Sequence, residues 1–367
     1  MPLLLFALSR LDAESLLNSA RQIPVWAVAL LVGLQIATQL LVNLQWYWIA
    51  RFSVAEISFG KMFYINCQGA AVDAITPGAK IGGEAARSLQ ISRMGNVSGE
   101  KAVATVALQK FFSMSAFIFA GLFFAGHLIG MAPQLRHMQF FVYGLSLLCL
   151  LMFAGVFISL RRIRARLLAR KAPRFAWAQR ARGFLLALLD NAAAVCADAK
   201  ACAVLFLLSL LIWLLYPAKM YILAIQIFPD ASAAYVGAAA FASYAVAMLP
   251  IFPGGLGGFE GTMSGLLLAM GLVASDAAVI TILFRFVTFW FVMLLSLAVI
   301  ASCKIARLFA GAVRSAKGRG KKRWLFAREG HILQWTSCET RLVSQEVSQF
   351  FGLGPAKLHF QRKFLQN

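Results

Sequence analysis

The sequence predicts an all-α fold, a polytopic membrane helix bundle of about eight transmembrane segments, and three observations predict it. Hydrophobic residues make up 61% of the chain and charged residues 13%, with a mean hydropathy of +0.76, which leaves too little polar surface to cover a water-soluble body. Runs with little or no charge recur along the chain at lengths close to what a bilayer core requires. Basic residues gather directly after two of those runs, in 161–182 and 304–323, as they do on the cytoplasmic side of membrane proteins.

Residues 1–22 read as an interfacial segment, because a short apolar start is followed by Arg10, Asp12 and Glu14 with no cleavage site of the secretory type. One membrane domain then covers 23–303. Its predicted spans are 23–50, 63–76, 102–126, 140–160, 201–227, 233–252, 259–273 and 277–302. The second and seventh are short and adjoin glycine-rich motifs, so each either crosses fully or is a broken, re-entrant element. Residues 184–200 combine apolar spacing of helical period with Asp190, Asp198 and Lys200, which predicts a helix along the membrane face. Eight crossings return both termini to one side, and the two basic clusters make that side cytoplasmic. Residues 304–367 form a basic juxtamembrane segment and a tail; 324–367 is too polar to span and is either a surface amphipathic helix or disordered.

A formal net charge of +21 raises nucleic acid as a partner, but placement beside apolar spans assigns the charge to membrane lipids with anionic headgroups instead. Six cysteines without CxxC spacing and four scattered histidines predict neither a metal site nor a disulfide framework. No GxxxxGK[ST] loop is present, so ATP is not expected to drive the protein directly. No cofactor and no catalytic residue are assigned.

Two motifs carry candidate chemistry. The first runs Thr76-Pro77-Gly78-Ala79-Lys80-Ile81-Gly82-Gly83-Glu84-Ala85-Ala86-Arg87, preceded by Asp73. Proline and glycine end one helix, and a new helix near Glu84 aims free N–H groups into a loop flanked by Lys80 and Arg87, a geometry suited to a phosphate or carboxylate. The plainer reading is a turn between spans. The second is Pro253-Gly254-Gly255-Leu256-Gly257-Gly258-Phe259-Glu260, which no continuous helix can cross. Pro253 follows Pro77 by 253 − 77 = 176 residues, and with four spans between them the two halves are expected to carry the same element in the same orientation.

Arg285, with Thr288 one turn later, stands inside the last span. An intramembrane arginine faces a polar cavity or a partner, or else snorkels to the interface. Asp73 and Glu260 are candidate partners, and Lys110 and Lys219 read as snorkelling residues.

Together these segments, with Arg285-Phe286-Val287-Thr288-Phe289-Trp290, resemble the flippase-like membrane domain of bacterial lysylphosphatidylglycerol synthases, found also in stand-alone proteins including some associated with hopanoid biosynthesis. The resemblance covers residues 23–304. The family often has Glu-Arg where this chain has Gln109-Lys110. Too few residues follow Arg323 to form the synthases' aminoacylating domain, so no transferase activity is carried over. The resemblance implies a translocase-like protein of the bacterial inner membrane that holds a polar or anionic lipid headgroup, with homo-oligomers or lipid-synthesis proteins as further partners. Two other classes stay open: a membrane enzyme acting on lipid or lipid-linked sugar, and an accessory subunit of a lipid-synthesis assembly.

Overall fold

The computed structural model describes residues 13–53, 57–76, 81–130, 136–169, 175–196, 199–249 and 253–321. Among them it is all-helical, with twelve α-helices: α1 Ala13–Arg21, α2 Val25–Ser53, α3 Phe59–Ile75, α4 Ile81–Gly95, α5 Gly99–Gly130, α6 Arg136–Ala169, α7 Ala176–Cys196, α8 Ala199–Ile227, α9 Ala233–Ala247, α10 Gly258–Ala269, α11 Ala274–Arg285 and α12 Phe291–Lys321. A π-helical turn, Phe286–Trp290, joins α11 to α12 without a break. Residues from Ile305 onward form a separate unit, and the bundle is the unit that ends at Lys304.

Four helical stretches, Val25–Phe52, Gly99–Gly130, Ala199–Ile227 and Ala274–Ala306, are long and apolar enough to cross a membrane. The helix α6 is 34 residues long, and its apolar part among the described residues is Arg136–Met152. Every predicted span corresponds to a helix, but α9 and α10 have 15 and 12 residues and are too short for a full crossing, while α3, with 17, is at the lower limit.

Packing shows what the short helices do. Trp46 and Ala50 at the end of α2, Ile57 and Met62 at the start of α3, Ile91 near the end of α4, and Ala102 and Val106 at the start of α5 share one apolar cluster. The chain therefore leaves and re-enters the bundle at the same end on both sides of the α3–α4 pair. This pair is a re-entrant hairpin. Its base is the cluster, and its tip lies where α3 ends and α4 begins.

The α9–α10 pair is a second hairpin. The Tyr235 hydroxyl near the start of α9 donates to the Leu266 carbonyl near the end of α10, and Tyr244 stacks edge-on against Phe259 near the tip. Its base lies in another cluster, which gathers Ile23 just before α2, Ala27 from its first turn, Leu223 and Ala224 from the end of α8, Leu272, and Ala277 from the start of α11. That cluster is at the opposite end of the bundle, since α2 runs from one to the other.

Lys61, Arg93, Lys101, Arg162, Arg164, Arg166, Arg182 and Lys200 come from helix termini that meet at one end and make it the basic end of the bundle. The first hairpin enters from the basic end and the second from the far end. Their tips meet: a Cβ on Gly254 would lie 3.4 Å from the Ala74 carbonyl oxygen.

The expectation of one shared orientation is thereby corrected. Because α3 and α4 turn back rather than cross, the chain reverses polarity, and helix–hairpin–helix units α2–α5 and α8–α11/α12 are inverted copies of one arrangement. For the same reason Ile23 lies at the far end, while the helix continuing from Ala274 passes Cys67 at Ser296 and Cys303 toward the basic end. The start and finish of the membrane domain lie at opposite ends, not on one side as the count of eight crossings implied.

Between the units, α6 runs back antiparallel to α5, with the Ser146 hydroxyl donating to the Phe119 carbonyl and Arg164 paired with Asp190 of α7. The segment expected along the membrane face is α7. It packs one face into the bundle: Leu189, Ala192 and Val195 are buried with Ile49, Phe112 and Leu205, and Asn191 reaches the Lys101 carbonyl and the Thr105 hydroxyl of α5.

Hairpin entry from the basic end has a direct check. In single-cysteine variants of the otherwise cysteine-free protein, Phe52→Cys is expected to react with an impermeant thiol reagent from the same side as Asn96→Cys, and Gln22→Cys from the other. A full crossing by α3 would put Phe52 and Asn96 on opposite sides.

Candidate functional site

The hairpin tips and the flanking helices enclose a cavity of about 260 Å³ at the centre of the bundle. Its charged lining comes from Asp73, Glu84, Arg87, Lys110 and Arg285, with Gln39, Gln45, Gln109, Ser113 and Thr288 as neutral polar wall. Trp46, Trp213, Tyr216, Tyr244 and Phe289 supply aromatic wall. A concave site that is mostly apolar with a few converging charges has the form of a ligand site, although its volume is just below the usual range of about 300–1,000 Å³.

Each cation is held by an acid. Arg87 of α4 donates to Asp73 Oδ2 of α3 at 3.1 Å, and its guanidinium lies 5.7 Å from the Trp46 ring. Lys110 of α5 donates to Glu84 Oε1 at 2.5 Å. Arg285 of α11 donates through Nε to Glu260 Oε1 at 2.7 Å and through Nη2 to the Gly254 carbonyl at 3.2 Å, between the rings of Phe259 and Phe289 at 5.0 and 4.6 Å.

Two of these pairs are equivalent under the inverted repeat. Glu84 opens the returning helix of the first hairpin and meets a cation on the long helix 26 residues later; Glu260 does so in the second, 25 residues from Arg285. They differ in exposure. The Lys110 and Glu84 side chains are 36% and 27% exposed, those of Arg285 and Glu260 only 7% and 6%.

The helix N-termini at the tips already hold the protein's own carboxylates. Asp73 Oδ1 accepts from the Gly83 N–H at 2.9 Å, and Glu260 Oε2 from the Gly257 N–H at 2.6 Å. The N–H groups expected to face a ligand are thus at least partly satisfied from within. The two chain reversals depend on glycine in different ways: Gly254, Gly255 and Gly257 take φ of 60, 71 and 88°, a region costly to residues with a Cβ, whereas Gly83 is needed for space, since its Cβ would fall 2.2 Å from the Asp73 carboxylate.

Of the predicted residues, Asp73, Glu84, Arg87, Gly254, Gly255, Arg285 and Thr288 line the cavity. Glu260 stands behind Arg285, and Gly82, Gly83, Pro253, Gly257 and Gly258 build the turns. Thr288 turns its hydroxyl to the Phe284 carbonyl at 2.8 Å. Pro77, Gly78 and Lys80 lie outside the described residues. Two lysines read as snorkelling are not: Lys110 lines the cavity, and Lys219 is 0% exposed. The signal for Lys110 was its place in mid-span, the counterpart of Arg285.

Among the described residues no group of three or more His, Cys, Asp or Glu side chains could hold a metal ion.

Fold and site together define a multi-pass helical membrane protein built on paired re-entrant hairpins with a charged central cavity. The chain belongs to the lysylphosphatidylglycerol synthase TM region family, whose model matches residues 2–296. It is similar to a UPF0104 membrane protein of Methanothermobacter thermautotrophicus, 22% identical over 290 residues that cover 76% of this chain and 85% of that one. Another UPF0104 membrane protein of the same organism is 31% identical over 106 residues, 29% of this chain and 31% of its own length.

Proposed function

We propose that the protein is a lipid translocase that passes an anionic or polar headgroup through the central cavity while the acyl chains remain in the bilayer. The observation that carries this reading is the meeting of two oppositely inserted hairpins at a cavity whose cations are matched one to one by acids. A carboxylate bound to a lysine or arginine is a stand-in for a phosphate: it offers the same charge-assisted hydrogen bonds, and an incoming headgroup can displace it.

The half-exposed Lys110–Glu84 pair is the entrance in this state, reached from the basic end. Displacement of Glu84 frees Lys110 for the phosphate, and Arg87 lies in the same cavity as the next donor. In the reciprocal state the sealed Arg285–Glu260 pair takes the exposed role and the cavity faces the far end. By the concentration of Lys and Arg, the basic end is cytoplasmic, and the membrane is the bacterial inner membrane.

The test is reconstitution in liposomes with leaflet exchange of labelled phospholipids, glycolipids and hopanoids followed in parallel. Lys110→Ala is expected to slow exchange of the anionic lipid at least about tenfold, while stability changes by no more than about 1 kcal/mol because the pair is partly exposed. No exchange of any lipid class by the wild-type protein would sink the translocase reading.

A further inference from the structure

Lys219 of α8 is fully buried. Its Nζ donates to the Gln35 Oε1 of α2, at close range, and to the Thr38 Oγ1 at 3.1 Å, and it sits 4.4 Å from the centre of the Tyr216 ring. All three partners are neutral, and among the described residues no carboxylate forms an ion pair with it. An ammonium withdrawn from water and left without a counter-charge is costly, which marks such groups as functional rather than structural.

Gln35 adds a second observation. It too is fully buried, and its Nε2 has no hydrogen-bond partner. A carboxamide accepts through its oxygen and donates through its nitrogen, so the same side chain, turned over, would donate to the lone pair of an uncharged amine. It can serve both forms of Lys219. The Thr38 hydroxyl proton is already committed to the Leu34 carbonyl at 2.7 Å.

Lys219 does not itself line the cavity but is separated from it by the Tyr216 ring that it faces. Tyr216, one turn away, lines it, as does Gln39, next to Thr38 in sequence. From there buried amides and hydroxyls continue toward the basic end: Gln45 donates to Ser209 and accepts from Gln109, and Asn66 donates to Asn43.

We propose that Lys219 is a proton-exchange site, releasing a proton to water in the cavity and taking one back as the headgroup moves, with no other bond made or broken. This rests on the translocase reading and specifies its energy source as proton coupling. The other ionisable groups around it are few. α2 carries none between Val25 and Trp46, α8 contributes Tyr216, α9 contributes Tyr244 in ring contact with Tyr216, and α11 contributes Arg285, already bound to Glu260.

Arginine and methionine separate the alternatives at this position, since Arg keeps a permanent charge and Met keeps the length without a proton. In vesicles of phosphatidylglycerol and phosphatidylethanolamine, exchange of fluorescent phosphatidylglycerol by the wild type is expected to vary about tenfold across the pH range in which the protein stays folded. Lys219→Met and Lys219→Arg should flatten that profile while unfolding thermally within a few degrees of wild type. A wild-type profile in Lys219→Arg would show that a fixed charge suffices and would overturn the proposal. A second readout does not depend on transport: in 15N-lysine spectra of the protein in lipid nanodiscs, the signal lost in Lys219→Met should pass between its ammonium and amine forms within that pH range. An ammonium signal that persists throughout overturns proton exchange even if lipids move, whereas a titrating Lys219 with no lipid exchange leaves the site standing and removes the translocase.

Discussion

Replacing Arg285 with alanine is expected to abolish lipid exchange and to lower stability by about 3–5 kcal/mol, the range for breaking a buried ion pair on one side only. The loss falls on Glu260. Its side chain is 6% exposed, and without Arg285 it is left with the Gly257 N–H as donor. The Gly254 carbonyl, which Arg285 also holds, loses a donor at the same time, so the second hairpin tip loosens. Adding Glu260→Gln should recover most of the stability, because a neutral amide no longer needs the guanidinium, but should not recover exchange, because the cavity still lacks its cation. Arg285→Lys should fall between, keeping charge without the two-directional fork. Thermal unfolding and leaflet exchange measured on the same preparations check each step; an alanine variant with wild-type stability and exchange would remove Arg285 from the site.

The second large effect is expected at Gly83. A methyl group there would sit 2.2–2.3 Å from the Asp73 carboxylate, too close for any rotamer adjustment that also keeps the cap. Overpacking costs about 1–3 kcal/mol, and losing the Asp73 bond to the Gly83 N–H costs roughly 1 more. Asp73 is also the partner of Arg87, so Gly83→Ala should displace a cation from the cavity wall and reduce exchange as well as stability. Gly60, where nothing lies within 4 Å of the position a methyl group would take, serves as the control: alanine there should be close to neutral. Equal effects at both glycines would mean that helix propensity, not the close approach, is at stake.

Much of this fold could be read from residue order alone. Charge-free runs located the long crossing helices and α3, α9 and α10, because a side chain that cannot be solvated in lipid leaves a compositional trace, but not α4, whose Glu84, Arg87 and Arg93 interrupt any such run. The second Pro-Gly motif located the tip of the α9–α10 hairpin, and the Gly82-Gly83-Glu84 part of the first located the start of α4. What residue order did not disclose was direction. A run such as 63–76 has the same composition whether it crosses or turns back, and only the shared packing of Ala50, Ile57, Ile91 and Ala102 reveals the return. At the site, Arg285 was visible as a charge out of place, but its pairing with Glu260 rather than Asp73 depends on which helices adjoin. Lys110 and Lys219 were undervalued for a related reason: a long flexible side chain can reach an interface from mid-span, so its burial is a property of neighbours, not of its own position.

The single helix α6 has a consequence for the origin of the molecule. The unit α2–α5 starts and finishes at the far end, having crossed twice, so a tandem copy fused directly to it would insert in the same orientation. An inverted copy needs an odd number of crossings in the connection. Of the two helices between the units, α6 runs from the far end to the basic end and α7 stays at the latter, which supplies one. A duplication followed by capture of one additional helix would therefore be enough to turn a gene encoding two like halves into a protein whose halves face opposite sides of the membrane.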